Sequence, residues 1–156
     1  MTSENLKEYV LERHNAAFKA YESVDDFGEW DGFYSHISKL YPDNAHFVFE
    51  LLQNAEDAKA KKVRFELLDG SLIFKHDGSR DFSKKDIKSI TGIANSSKKE
   101  DTNTIGQFGV GFKSVFAYTT TPKIYSKSIS FKIENLFVPS LIKPHSIEKD
   151  YTTQFI

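Results

Sequence analysis

Three glycines within residues 106–116, which read Gly-Gln-Phe-Gly-Val-Gly-Phe-Lys-Ser-Val-Phe, are placed where they could bind an anion. Gly106, Gly109 and Gly111 stand where a loop is expected to pass into a helix. Glycine permits positive φ and lets backbone approach a ligand closely, and the unpaired N–H groups of a helix N-terminus point at an anion such as phosphate. The run alone is a weak signal, because a tight turn packed against a helix has the same pattern.

A second group of polar residues lies upstream, in residues 47–60. Apolar residues recur there at helical spacing, which predicts an amphipathic helix. Glu50, Asn54 and Asp57 stand at i, i+4 and i+7, so they share a narrow polar stripe beside the apolar face. A carboxylate can orient or deprotonate water, and an amide oxygen can bind Mg²⁺. A helix face that hydrogen-bonds neighbouring backbone is the alternative interpretation.

Length and composition favour a single domain. The chain has 156 residues, of which 39% are hydrophobic and 14% aromatic, enough to build one core. A net charge of −1 gives no support to a general nucleic-acid-binding surface. The lack of cysteine excludes disulfides and the usual zinc sites. Because we see neither a signal-peptide pattern nor an apolar run of membrane-spanning length, we expect a cytoplasmic protein with no membrane partner.

The remaining patterns predict the elements that position these residues. In chain order they are a helix over 6–20, a covering loop with short helical pieces over 25–42, a hairpin of strands 63–68 and 72–76, a helix over 83–91 with Ser83 as its capping residue, a polar lid over 92–104, a helix continuing from the glycine run, strands over 123–126 and 129–133, a loop over 137–147 and a strand starting at Tyr151.

In order and spacing, these motifs resemble the GHKL ATPase superfamily, which comprises DNA gyrase B subunits, heat-shock chaperones of the ninety-kilodalton class, histidine kinases and MutL. The glycine run, with residues 91–96, is most similar to the chaperone branch, and residues 50–58 are similar to sacsin-type ATP-binding modules. The resemblance covers residues 45–127 well. It implies an α+β fold, the Bergerat fold, in which helices cover one face of a mixed, mostly antiparallel sheet to make a two-layer α/β sandwich.

The same resemblance implies a division of the chain. Residues 1–44 would form an N-terminal helix and covering segment, and residues 45–156 would form the ATP-binding core. We expect that core to be truncated within its last strand.

The resemblance further implies ATP and Mg²⁺ as cofactors. Glu50 would polarise the attacking water, Asn54 would coordinate Mg²⁺, and Asp77 would accept a hydrogen bond from the adenine amino group. The other nucleotide contacts would come from Asp57, Ala58, Gly78, Ile93, Gly106, Gln107, Phe108, Gly109, Val110, Gly111, Phe112 and Thr153, with Thr152 as the alternative to Thr153.

One departure from the family concerns the adenine loop, which usually reads Asp-x-Gly-x-Gly. Here residues 77–82 read Asp-Gly-Ser-Arg-Asp-Phe, so Gly78 would supply the turn one position early, and a plain turn after a strand is the alternative. Lys113 could approach a phosphate or face solvent. His46 and His76 flank the expected cleft, where packing is the simpler role for each.

The function implied is ATP hydrolysis coupled to lid closure in a larger chaperone-like protein. ATP or ADP binding would promote a homodimer, or contact with a downstream domain or partner protein that supplies a basic residue, so the isolated domain would hydrolyse ATP slowly. Glu50 favours water as the phosphate acceptor, since histidine kinases carry asparagine there. The alternatives are a nucleotide-gated interaction module with little catalysis and the ATPase module of a DNA-processing protein.

Overall fold

The computed structural model describes residues 3–39, 46–92 and 111–156 of the chain. Its elements are α1 (Ser3–Asp26), α2 (Trp30–Lys39), α3 (His46–Asp57), β1 (Val63–Leu68), β2 (Ser71–His76), α4 (Lys84–Ile90), a 3₁₀ helix (Gly111–Ala117), β3 (Lys123–Ser126), β4 (Ser130–Glu134), β5 (Val138–Leu141) and β6 (Thr153–Phe155). None of the helices in these ranges has both the length and the apolar character needed to cross a bilayer.

The strands form one six-stranded sheet in the order β1-β2-β6-β3-β4-β5. This confirms the α+β class, and every pairing among the described strands is antiparallel. The last strand, β6, lies in the interior of the sheet, where Phe155 is opposite both Phe74 and Ile124. The predicted hairpin of β1 and β2 is confirmed, and Gly70 in its turn has a φ of +71°, a conformation that glycine adopts without strain.

The core lies between the helices and one face of the sheet. Side chains alternate between the two faces of each strand, which places Phe74, Phe131 and Phe155 on the buried face. On this face the ring of Phe112, from the 3₁₀ helix, lies 6.0 Å from that of Phe155. The helices add further apolar side chains to the same cluster, namely Leu6 and Val10 from α1 and Leu51 and Ala55 from α3.

The covering segment is more regular than the sequence suggested. α1 continues to Asp26, and α2 forms a single helix of 10 residues instead of short helical pieces in a loop. Gly28, with a φ of +70°, ends the first helix, and Trp30 at the start of the second makes edge contacts with Tyr21 and Phe137. Tertiary packing of the Trp30 indole therefore stabilises a helix for which the local sequence has only a weak preference.

One further local prediction was wrong. Residues 138–141 form a strand rather than a loop, since Pro139 needs no donor where it lies, on the edge strand covered by α1. The helix that was predicted after the glycine run is present over residues 111–117, and it is a 3₁₀ helix. In its first turn the Ser114 hydroxyl donates a 2.7 Å hydrogen bond to the carbonyl of Gly111, three residues earlier.

Candidate functional site

Glu50 and Gly111 meet where α3 packs on the 3₁₀ helix. A Cβ atom built on Gly111 would overlap the carboxylate of Glu50. Only glycine at this position lets the acid approach the backbone at the end of the glycine run so closely. The Glu50 side chain is 21% exposed, and Nε2 of His46, one turn earlier, lies 3.4 Å from its Oε1. The structure therefore brings together the two features that the sequence predicted as one site.

A small cavity lies at Asn54, one turn after Glu50 on α3. Asn54 and Ala58, just after the end of this helix, line it together with Thr153 of β6 and with His76, Arg80, Asp81, Phe82, Asp86, Ile90 and Phe155. Its volume is about 30 Å³, which is about the share of one molecule in liquid water. Asn54, Ala58 and Thr153 thus line one common space, and this space must widen to hold a nucleotide base. Their nucleotide contacts stay predictions.

Of the two candidate threonines, Thr153 faces the cavity. Its neighbour Thr152 instead donates a 2.8 Å hydrogen bond from its hydroxyl to the carbonyl of Gly78. A Cβ on Gly78 would lie 2.7 Å from the Cβ of Ala58 and 2.8 Å from its carbonyl oxygen. Glycine at 78 is therefore required by the close approach of this loop to the C-terminus of α3.

Asp77 is engaged on the other side of the same loop. Its Oδ1 accepts hydrogen bonds from the backbone N–H groups of Lys61 and Lys62, both at 2.8 Å. The N–H of Lys62, followed by that of Lys61, holds the pKa of this carboxyl below its usual value. Asp77 joins the end of β2 to the segment before β1 and is absent from the cavity lining, and its adenine contact stays a prediction.

Asp57 lies beside this loop with one oxygen unsatisfied. Within the described ranges, its Oδ2 is buried and accepts no hydrogen bond. Burial raises the pKa of the carboxyl, although the nearby guanidinium of Arg80 opposes the shift. Asp57 is a half-buried carboxyl at the C-terminus of α3 that is absent from the cavity lining, and its nucleotide contact stays a prediction.

A bidentate ion pair at the cavity was not predicted from the sequence. The guanidinium of Arg80 donates to both oxygens of Asp86, at 2.8 and 3.0 Å. Asp86 also accepts from the backbone N–H and hydroxyl of Ser83, which forms the capping box of α4. Burial opposes ionisation of Asp86, but the bonds from Arg80 and Ser83 hold its pKa below the usual value. The capping box was visible in the sequence, whereas the arginine partner was not.

Lys113 does not face solvent, so that expectation was wrong, and its approach to a phosphate stays a prediction. The side chain is buried, and Nζ donates to the carbonyls of Ile90 at 2.7 Å and Leu136 at 2.6 Å. Burial, with a smaller contribution from the charge of Arg13, lowers the pKa of the ammonium to about 7. Lys113 connects the C-terminus of α4 to the turn before β5, where Leu136 has a φ of 66°.

Of the remaining residues that were predicted to contact nucleotide, one lies in the core and the others lie outside the described residues. Phe112 is a core residue that is 2% exposed. Ile93, Gly106, Gln107, Phe108, Gly109 and Val110 lie outside the described residues, as does the lid after Gly92. In the ranges that are described, no group of three or more His, Cys, Asp or Glu side chains could hold a metal.

Comparisons with known proteins agree with the resemblance seen in the motifs. A family model described as the Sacsin domain matches residues 70–135, from the β1–β2 turn to the turn after β4. Human sacsin is 31% identical over 147 residues, which are 81% of this chain and 3% of sacsin. Protein NO VEIN of Arabidopsis thaliana is 31% identical over 120 residues, which are 70% of this chain and 4% of that protein.

A bacterial relative carries the word chaperone in its name. Chaperone protein HtpG of Buchnera aphidicola subsp. Cinara cedri (strain Cc) is 29% identical over 149 residues, which are 72% of this chain and 24% of HtpG. The chain therefore spans a small part of each of these three relatives. Its similarity is to a sacsin-type, chaperone-related module.

Gly111→Ala tests the contact between Glu50 and the glycine run. The new methyl group must displace the Glu50 carboxylate, and we expect a loss of about 1–3 kcal/mol in the free energy of unfolding. Urea unfolding measures it. Gly32→Ala is the matched control, because a Cβ at Gly32 on α2 meets nothing within 4 Å, and it should be neutral or stabilising by about 0.5–1 kcal/mol. Equal effects of the two substitutions would contradict the contact.

Lys113→Met tests the buried ammonium. In the folded protein Lys113 loses its proton above a pKa of about 7, whereas in the unfolded chain it stays protonated to about 10.4. Between these two pH values the unfolded state therefore binds more protons than the folded state. The free energy of unfolding of the wild type then rises with pH, relative to that of the variant, by up to about 1.4 kcal/mol per pH unit.

Urea unfolding at pH 7, 8 and 9 measures this difference. The exposed Lys127 supplies the control Lys127→Met, which should keep the wild-type slope. If Lys113→Met showed the wild-type slope as well, Lys113 would titrate as an ordinary surface lysine.

Proposed function

We propose that this chain is a Mg²⁺-dependent ATP-binding and ATP-hydrolysing domain whose lid closure drives a conformational or dimerisation switch in a larger chaperone-like protein. The observation that carries the proposal is the contact of the Glu50 carboxylate with Gly111. It places an acid against the backbone that ends a glycine run, with Asn54 one turn away on a cavity. The similarity to HtpG and sacsin supports the same conclusion.

The chemistry needs few groups. An attacking water forms a bond to the γ-phosphorus, the bond between that phosphorus and the bridging oxygen of ADP breaks, and Glu50 accepts the proton of the water. The backbone N–H groups of the glycine run would hold the phosphate oxygens. Bound Mg²⁺ would neutralise phosphate charge, and the amide oxygen of Asn54 is a suitable ligand since it lies at the cavity and no described residue hydrogen-bonds it.

The switch would act through contacts outside the described residues. ATP bound at Glu50 and Asn54 would order the lid over 92–104 and so promote a homodimer, or contact with a downstream domain or partner protein that supplies a basic residue. Hydrolysis by the isolated domain is then slow. The cytoplasm is the compartment that we propose, and no observation favours a nucleic-acid partner.

A second candidate is a nucleotide-gated interaction module with little catalysis. The position of Glu50 favours it, because the carboxylate is packed against the Gly111 backbone and only 21% exposed. Only part of the carboxylate is therefore accessible to an attacking water molecule. The two candidates share the ATP site and differ in turnover.

Glu50→Gln separates these candidates, since it keeps the shape of the side chain and removes the base. We expect ATP binding by isothermal titration to be retained and steady-state phosphate release to fall by a factor of at least about 10². Glu56→Gln, at an exposed position on the same helix, should release phosphate like the wild type. Unchanged turnover in Glu50→Gln would remove the assigned base. Binding without release in the wild type would select the interaction module.

Asn54→Ala tests the proposed magnesium ligand. Wild-type protein should bind ATP more tightly with Mg²⁺ than with EDTA, and we expect the variant to lose about 10- to 100-fold of that preference. Isothermal titration with and without Mg²⁺ measures both. Asn15→Ala, at an exposed position on α1, should retain the preference. Wild-type binding that ignores magnesium would contradict the role of Asn54.

A further inference from the structure

His76 is a buried polar residue at the cavity, and its ring packs on those of Phe74 and Phe155, at 6.0 and 6.3 Å. It is the last residue of β2, it pairs with Thr153 of β6 in the sheet register, and both side chains line the cavity. The residue is 3% exposed. A polar ring is thus enclosed between the sheet and α3, beside the amide of Asn54.

The hydrogen-bonding state of the ring is set by its neighbour in the loop. The backbone N–H of Gly78 donates to His76 Nδ1 at 3.1 Å, so this nitrogen carries no proton. Burial lowers the pKa of the imidazole to about 4, against a weaker opposing effect of Asp77. The ring is therefore neutral at physiological pH, and its one proton is on Nε2.

The Nε2–H group remains available. No residue in the described ranges accepts a hydrogen bond from it, and it is not one of the two buried side-chain atoms without a partner there, which are Asp57 Oδ2 and Ser89 Oγ. Nε2 therefore touches accessible space, and the space that this ring lines is the cavity. A suitable acceptor in the cavity would therefore receive a direct hydrogen bond from this donor.

We propose that His76 reads the base of the bound nucleotide, its Nε2–H donating to an unprotonated ring nitrogen of a purine such as adenine. This inference rests on the proposed nucleotide site and assigns it a residue for base recognition. Asp77 is less suited, because its Oδ1 already accepts two backbone N–H groups and it does not line the cavity. Thr153, opposite His76 in the register, adds a hydroxyl that can donate or accept.

The cavity must widen for a base to enter, and part of its lining is exposed. Arg80 and Asp81 are exposed residues of the loop between β2 and α4, whereas Ile90 and Phe155 belong to the core. Displacing the Asp81 side chain leaves the core packing unchanged, and displacing Arg80 also breaks its ion pair with Asp86. His76 and Gly78 stay fixed by their own hydrogen bond.

The test compares ATP with its 1-deaza, 3-deaza and 7-deaza analogues, each of which lacks one ring nitrogen. Isothermal titration is run on the wild type and on His76→Phe, which keeps an aromatic ring and loses the donor. We expect one analogue to bind the wild type about tenfold more weakly than ATP and to bind His76→Phe as ATP does. His145→Phe, at an exposed position, should behave like the wild type.

Each outcome decides a different point. If every analogue lost the same factor in the wild type and in His76→Phe, the assignment of His76 would be overturned while nucleotide binding stood. If the folded wild type bound no ATP or ADP, the proposed function itself would fail, and this inference with it.

A second measurement needs no variant and therefore survives a folding defect in His76→Phe. In ¹⁵N-labelled wild type, the imidazole nitrogens of His76 should show the Nε2–H tautomer at pH 6 and pH 7. Saturation with ATP should shift the Nε2 resonance and leave Nδ1 an acceptor. An Nδ1–H tautomer, or resonances that ignore ATP, would overturn the proposal.

Discussion

The contact between Glu50 and the backbone of Gly111 is the constraint on which the rest of the site depends. Here α3 and the 3₁₀ helix approach so closely that one added methyl group on Gly111 would push them apart. Leu51, next to Glu50, and Phe112, next to Gly111, belong to one buried cluster, so the apolar packing and the position of the acid are set by the same approach. Because a close-packed interior transmits a shift of one element to its neighbours, movement of either α3 or the 3₁₀ helix moves the Glu50 carboxylate.

The sheet supplies the other side of the site through its interior strand. β6 is three residues long, yet it joins the β1–β2 hairpin to the β3–β5 half of the sheet. Thr153 and Phe155 on its buried face line the cavity, and Gln154 points to the opposite face. The floor of the site is therefore also the connection between the two parts of the sheet. If the cavity widens, the loop over 77–83 moves and the strands stay in place.

Elements with local signals were predictable and those with distant partners were not. Periodic apolar residues predicted α3, alternating residues around Asp69 and Gly70 predicted the hairpin, and Ser83 with Asp86 predicted the start of α4. The motif order also led to the neighbourhood of Glu50 and Gly111. Lys113 was missed because its partners, the carbonyls of Ile90 and Leu136, each lie 23 residues away. The strand at Pro139 depends on α1, which no local pattern near the proline reveals.

The polar groups at the cavity and in the loop beside it differ in how their hydrogen bonds are satisfied. Backbone N–H groups satisfy two of them: Oδ1 of Asp77 accepts from Lys61 and Lys62, and Nδ1 of His76 accepts from Gly78. By contrast, Nε2 of His76 and Oδ2 of Asp57 have no partner among the described residues. Backbone partners fix side chains in one geometry, whereas unpartnered groups carry a desolvation cost that a ligand can offset. A site with both kinds is preorganised, because its fixed groups hold the free ones in place before anything binds.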